Sequence, residues 1–282
     1  LSRNRDRVGG GDAAQKAESP VASNTNSPEQ LFSFVVPTEF VELPSKGRFY
    51  AVGHPLHNQT IIEIKQMTAK EEDILTSRSL LKQGVAIDRV IQSIIVDKSI
   101  DVTSLLVGDK NALVIASRVS GYGNVYTTSV GCPACETKQE YSFDLNLAEI
   151  SHGGDMQGIT DNGNGTFSAA LPTSGLNIVF KVLNGYDEKR ISNNSTTKGN
   201  RPDNLITTQI RAMVVSVNDN DSPEALNYVA ENIPSKDSAF LRKAYKTVTP
   251  NINIDQHFAC ANCDFEDIME VPLTADFFWP DR

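Results

Sequence analysis

The sequence predicts an α+β fold in which antiparallel β-hairpins alternate with two helical units. Three observations carry that expectation. Short β-branched and aromatic runs are separated by Gly, Pro and Asn turns. Two longer stretches instead repeat their apolar residues at helical spacing. All four cysteines fall in two Cys-x-x-Cys pairs, each flanked by strand-like sequence.

The order of elements follows from the residues. Residues 1–30 are rich in Gly, Ser, Asn, Pro and charge, and bury too little apolar surface to offset the entropy of ordering. They are expected to form a flexible N-terminal arm that wraps a partner. Residues 31–67 form a β entry segment, with the apolar run to Leu43 ending at the turn Pro44-Ser-Lys-Gly47 and a second strand around Ile61-Ile62-Glu63-Ile64. Residues 68–120 form a helical unit. Thr68-Ala-Lys-Glu71 has capping-box spacing, which starts a helix at Ala69 that Gly84 ends. Val85 to Ile95 continue the helical pattern, and Asp109 is expected to cap a further helix through Ser120.

Residues 121–184 form β-hairpins. Gly121 to Val130 and Lys138 to Leu145 are joined at Cys132-Pro-Ala-Cys135, and Thr166 to Ala170 turns into Leu176 to Leu183. The Gly/Asn-rich stretch 151–165 is expected to be a loop. A second helical unit, 185–250, divides into Asp187 to Ser192, Asp203 to Val217, Ser222 to Ala230 and a fourth helix from Pro234 to Tyr245. Residues 251–282 form a C-terminal β segment around Cys260-Ala-Asn-Cys263, with an aromatic tail, Phe277-Phe-Trp279, that must dock on its own domain or on a neighbour.

Composition narrows the function. The 282 residues are 39% hydrophobic and 22% charged, enough for a real core, and no apolar run reaches the ~18 residues of a membrane span. With 26 basic against 35 acidic residues the net charge is −9, which opposes binding to nucleic acid. Phosphate loops, dinucleotide fingerprints and nucleophile elbows are absent, and the carboxylate runs Glu71-Glu-Asp73, Asp219-Asn-Asp221 and Glu266-Asp267 read as solvated faces or caps. His54, His57 and His152 have no partner at a meaningful spacing.

The cysteines carry the chemistry. Each Cys-x-x-Cys turn aims two thiolates at one point, so Cys132, Cys135, Cys260 and Cys263 are expected to complete a tetrahedral shell for a structural Zn²⁺, a zinc-ribbon-like pair of knuckles with four cysteine ligands. In a ribbon the two pairs lie close in sequence, whereas here 124 residues separate Cys135 from Cys260. The metal would tie the C-terminal strands to the central hairpin. Redox exchange at Cys132-Pro-Ala-Cys135 is the competing reading, though that motif ordinarily opens a helix. His257, three residues before Cys260, is expected beside the site or exposed rather than as a ligand.

Several motifs in order also carry a resemblance: Phe40-Val-Glu-Leu-Pro-Ser-Lys-Gly47 with Tyr50, the helix start Met67-Thr-Ala-Lys-Glu-Glu-Asp-Ile-Leu75, Arg118 to Tyr122, the two knuckles, and Asp276-Phe-Phe-Trp-Pro280. Over about residues 31–282 the chain resembles the baseplate hub proteins of T4-type contractile-tailed bacteriophages. The resemblance implies a non-enzymatic structural protein of the virion tail baseplate, made in the host cytoplasm and built into a symmetric assembly in multiple copies. Its partners would be other hub, wedge or tail-tube proteins. A transient hub-assembly factor absent from the mature virion is one alternative. A zinc-ribbon nucleic-acid-binding protein is the other, opposed by Asp264, Glu266, Asp267 and Glu270 beside the second knuckle.

Overall fold

The entry strand β1 (Thr38–Glu42) pairs antiparallel with β2 (Ile61–Lys65), with Val41 opposite Ile62. Alternation along β2 sends Ile62 and Ile64 into the core and leaves Ile61 half exposed. This computed structural model describes residues 35–196, 205–273 and 275–278, and from Val36 onward the chain forms one unit. The arm expected at 1–30, Asp203 at the start of an expected helix, and Trp279 lie outside the described residues. Among the described residues, α and β elements are mixed and every strand pairing is antiparallel.

Helix α1 (Ala69–Thr76) starts where the capping-box spacing places it, with the Glu71 carboxylate accepting from the Thr68 amide at 2.9 Å. The helix expected to run on to Gly84 is interrupted at Ser77, whose extended backbone (φ −66°, ψ 106°) separates α1 from the short α2 (Arg78–Lys82). The physical reason is the lack of an apolar stripe to bury: α2 has no buried residue, and α1 buries only Glu71 and Leu75. Helix α3 (Ala86–Ile94) does have that stripe, with Ala86, Val90, Ile91 and Ile94 all buried.

Glu71 is fully buried and also accepts from Ser93 Oγ at 2.5 Å and Lys65 Nζ at 3.2 Å. Burial pushes its carboxyl up, but the hydrogen bonds from Ser93, Thr68 and Lys65 outweigh burial and bring it down to about 2. A depressed folded-state value makes its contribution complete above the unfolded value of about 4.5 and lost as pH falls through about 2. Wild type is therefore expected to lose up to about 3 kcal/mol across this window through Glu71 alone. Glu71→Gln should flatten that part of the stability–pH profile; parallel profiles for the two proteins would refute the assignment.

Helix α4 (Val107–Tyr122) corrects the expected role of Asp109. The helix begins two residues earlier, and Asp109 lies in its first turn with 1% exposure. Its carboxylate reaches across to the entry turn, accepting from the Ser45 amide at 2.9 Å, Ser45 Oγ at 2.6 Å and the Tyr50 hydroxyl at 2.8 Å. A long-range set of three donors wins over a local cap because the turn's own polar groups are buried and need a partner. Gly47 closes this turn at φ +72°, and a Cβ there would lie 2.4 Å from the Gln59 nitrogen, so only glycine fits.

The central hairpin pairs β3 (Val125–Gly131) with β4 (Lys138–Asp144). Beyond it the stretch 151–165 is more than the expected loop. Strand β5 (Glu149–Ser151) enters it, and β6 (Ile159–Asp161) lies within it, pairing with β7 (Thr166–Ala170). Next to β7 lies β8 (Asn177–Lys181). Helix α5 (Gly185–Thr196) follows, and α6 (Leu205–Met213) ends sooner than expected, because Val214-Val-Ser-Val217 forms strand β9 beside β8. That run is β-branched, and it buries Val214 and Val217 on the open edge of the sheet, a better outcome than another helical turn.

Helices α7 (Pro223–Asn232) and α8 (Ser235–Val248) lead to β10 (Asn251–Asn253), which pairs with β5. The second knuckle hairpin is β11 (Asp255–Ala259) with β12 (Glu266–Glu270), and the chain then turns through Ala275–Phe278. Phe277 and Phe278 are buried against their own domain. Among the described residues no helix is long and apolar enough to cross a membrane.

Candidate metal centre

Two separate two-stranded sheets, β3–β4 and β11–β12, face each other with their cysteine turns together. In the first turn the Cys132 amide donates to Thr137 O at 2.9 Å and the Glu136 amide to Cys132 O at 2.9 Å, with Glu136 in the left-handed region at φ 57°. In the second the Cys260 amide donates to Phe265 O at 2.9 Å. These turns hold both cysteines of a pair on one side of the backbone.

All four sulfurs lie within 4.8 Å of one another, so the cluster could hold a metal ion. The two shortest cross-knuckle approaches are Cys132 Sγ to Cys263 Sγ at 3.8 Å and Cys135 Sγ to Cys260 Sγ at 3.7 Å. A disulfide requires about 2.05 Å. Four sulfurs about 2.3 Å from a common tetrahedral centre are separated by about 3.8 Å, which these two distances match. Cys132 is 2% exposed, and its knuckle runs on into β4 rather than into a helix. That burial also leaves the first thiol of the Cys-Pro-Ala-Cys motif inaccessible to a partner disulfide, against the redox reading.

The thiols are held unequally. Side-chain and backbone hydrogen bonds from Thr137 lower Cys135 to about 6, with Asn262 Nδ2 also directed at its sulfur at 3.8 Å. The Phe265 backbone favours the Cys263 thiolate, but burial and the three neighbouring sulfurs outweigh it and push that thiol up to about 12. The thiolate is therefore favoured at Cys135 and disfavoured at Cys263. A divalent cation at the centre reverses that balance.

Two glutamine side chains lace the hairpins together. Gln139 donates to Ala259 O at 3.0 Å and accepts from the Ala261 amide at 2.8 Å, while Gln256 donates to Asp144 O at 2.8 Å and accepts from the Asp144 amide at 3.1 Å. Tyr141 packs between Phe143 and Phe258, and its hydroxyl donates to His257 O at 3.1 Å. No sequence signal singles out Gln139 or Gln256, since a lone glutamine in a strand reads as a solvent-facing residue.

The histidines lie away from the sulfurs. His257 is exposed on the outer face of β11, with Nε2 3.6 Å from Glu266 Oε2. His54 stacks on Tyr50 and meets Ser104 Oγ at 2.8 Å, His57 meets Tyr50 O at 2.7 Å, and His152 meets Pro44 O at 2.9 Å. Each holds a loop in place through partners too distant in sequence, or too ordinary, for spacing to reveal.

Against known proteins, the family model described as T4 bacteriophage base plate protein matches residues 36–279. No curated protein and no solved structure matches the chain.

Proposed function

Because the chain belongs to the family of T4 bacteriophage base plate proteins, with the structural role and virion-tail location that membership carries, we propose that it is a non-enzymatic component of the central hub of a contractile-tail baseplate. It is made in the host cytoplasm and joins hub, wedge or tail-tube proteins there. The family match over most of the chain is the observation that carries this reading. The ordered run of motifs from Phe40 to Pro280 supports the hub position in particular.

The four cysteines are proposed to hold Zn²⁺ as a structural clip. Four thiolates at tetrahedral spacing suit zinc, and a shell closed by four protein ligands leaves no position for water or substrate. The metal's contribution is to fix the two hairpins against each other.

Two measurements test the proposal. Quantitative mass spectrometry of purified particles should find a fixed small number of copies per tail; absence from particles combined with a hub defect on deletion would make the protein a transient assembly factor instead. Reconstitution with Co²⁺ should give the intense visible absorption of tetrahedral thiolate-bound cobalt, and Cys260→Ser should weaken or shift it. A spectrum typical of octahedral aqueous cobalt would overturn the metal assignment.

A further inference from the structure

The acidic chain carries a groove of opposite charge. Lys65 at the end of β2, Lys70 on α1, Arg89 on α3 and Lys98 beyond it line a cleft of about 560 Å³ whose floor includes the half-buried Ile74 and Leu80. Of these four, among the described residues, only Lys65 has a carboxylate partner, the buried Glu71 at 3.2 Å. Lys98 is held by the carbonyls closing α3, Ser93 O at 2.9 Å and Ile95 O at 2.5 Å. Lys70 and Arg89 are exposed and have no carboxylate partner among the described residues. Burial, followed by the fields of Lys65 and Lys70, lowers Lys98 from its ordinary value, as expected where positive charge is concentrated.

The complementary surface is on the same chain. From Asp264 to Glu270 the second knuckle presents four carboxylates, those of Asp264, Glu266, Asp267 and Glu270, all exposed. Between them Ile268 stands 68% exposed, on the same face of β12 as Glu266 and Glu270. The strand thus offers an apolar residue flanked on its own face by the carboxylates of Glu266 and Glu270. The groove offers an apolar floor ringed by positive charge.

We infer that the groove of one copy receives the acidic strand Asp264 to Glu270 of a second copy, Ile268 packing over Ile74 and Leu80 while the carboxylates meet Lys70 and Arg89. A contact between two different patches is head-to-tail, so repetition builds a ring if the rotation closes and a filament if it does not. The attraction is between largely exposed charges and is expected to be salt-sensitive. This inference does not depend on the hub position.

The test uses the full chain, a mixture of ¹⁴N- and ¹⁵N-labelled protein, and a carbodiimide that joins amines directly to carboxylates. The expected result is mixed-isotope cross-links from Lys65 or Lys70 to the carboxylates of Asp264 to Glu270. Their yield should fall on the order of tenfold in 1 M salt, where the Debye length shrinks to about 3 Å. The double variant Lys70→Glu/Arg89→Glu should lose them to a similar degree, and mixing it with Glu266→Lys/Glu270→Lys protein should restore mixed-isotope cross-links. All four positions are exposed, so circular dichroism and melting are expected to match wild type. Cross-links confined to single copies would overturn the inference, as would mixed ones indifferent to these substitutions, or charge-dependent binding of duplex DNA by a chain that stays monomeric.

Discussion

Removing the proposed metal from the four-cysteine centre with a chelator, or replacing Cys132 by Ser, is expected to cause a large loss of stability. A metal held by all four sulfurs would close a loop of 124 residues between Cys135 and Cys260. Constraining the unfolded chain over a loop near that length contributes about 4–5 kcal/mol in the chain-entropy model. Each hairpin is a two-stranded sheet, marginal in water on its own, and the core packing of Tyr126, Val130, Phe143 and Phe258 anchors the strands without tying the two cysteine turns to each other. Without a metal the hairpins would still share the glutamine bridges, the Asn262 Nδ2 to Thr137 Oγ1 hydrogen bond at 3.1 Å, the Tyr141 to His257 O bond and the Tyr141, Phe143 and Phe258 cluster. Thermal melting with and without chelator reads the total effect. Amide hydrogen exchange should place the lost protection in 125–144 and 255–270. A melting curve indifferent to both chelator and Cys132→Ser would reject the clip.

Arg118→Met is expected to cost about 4 kcal/mol. Arg118 is fully buried on α4 and pairs with no carboxylate in an ion pair among the described residues. Its guanidinium instead donates to three carbonyls: Phe277 O at 2.6 Å, Gly123 O at 2.6 Å and Val125 O at 3.1 Å. It also stacks within 5.5 Å of the Tyr122 ring centroid and 5.9 Å of that of Phe277. One side chain therefore joins the end of α4, the start of β3 and the C-terminal turn. Methionine fills a similar volume but leaves three acceptors without a donor. Lysine keeps the charge without the planar fork that serves three directions, so Arg118→Lys should also destabilise, by less. Urea unfolding checks both variants, and a loss below about 1 kcal/mol for the methionine variant would contradict this account.

The physical character of each feature decides how far it is legible in the sequence. The capping box at Thr68, the apolar stripe of α3, the hairpin around Cys132 and the pairing of the cysteines are all local: period, turn residue and ligand spacing lie within a few positions of each other. The interruption at Ser77 and the strand at Val214 to Val217 escape such patterns because burial, rather than propensity, settles them. Asp109 has the sequence signature of a cap because a carboxylate at a helix start is ordinarily one; its actual partners, Ser45 and Tyr50, are 64 and 59 positions away.

By itself the sequence determined the α+β class, most element positions, the four-cysteine set and the resemblance to T4-type baseplate proteins, because these depend on local patterning and on residue identity in order. Only the tertiary structure decided that the four sulfurs converge within 4.8 Å of one another across 124 intervening residues, that Arg118 clamps the C-terminal turn, and that Lys70 and Arg89 share a groove with Lys65 and Lys98. Those facts depend on which distant segments pack together, and packing is set by the burial of the whole core rather than by any short stretch of chain.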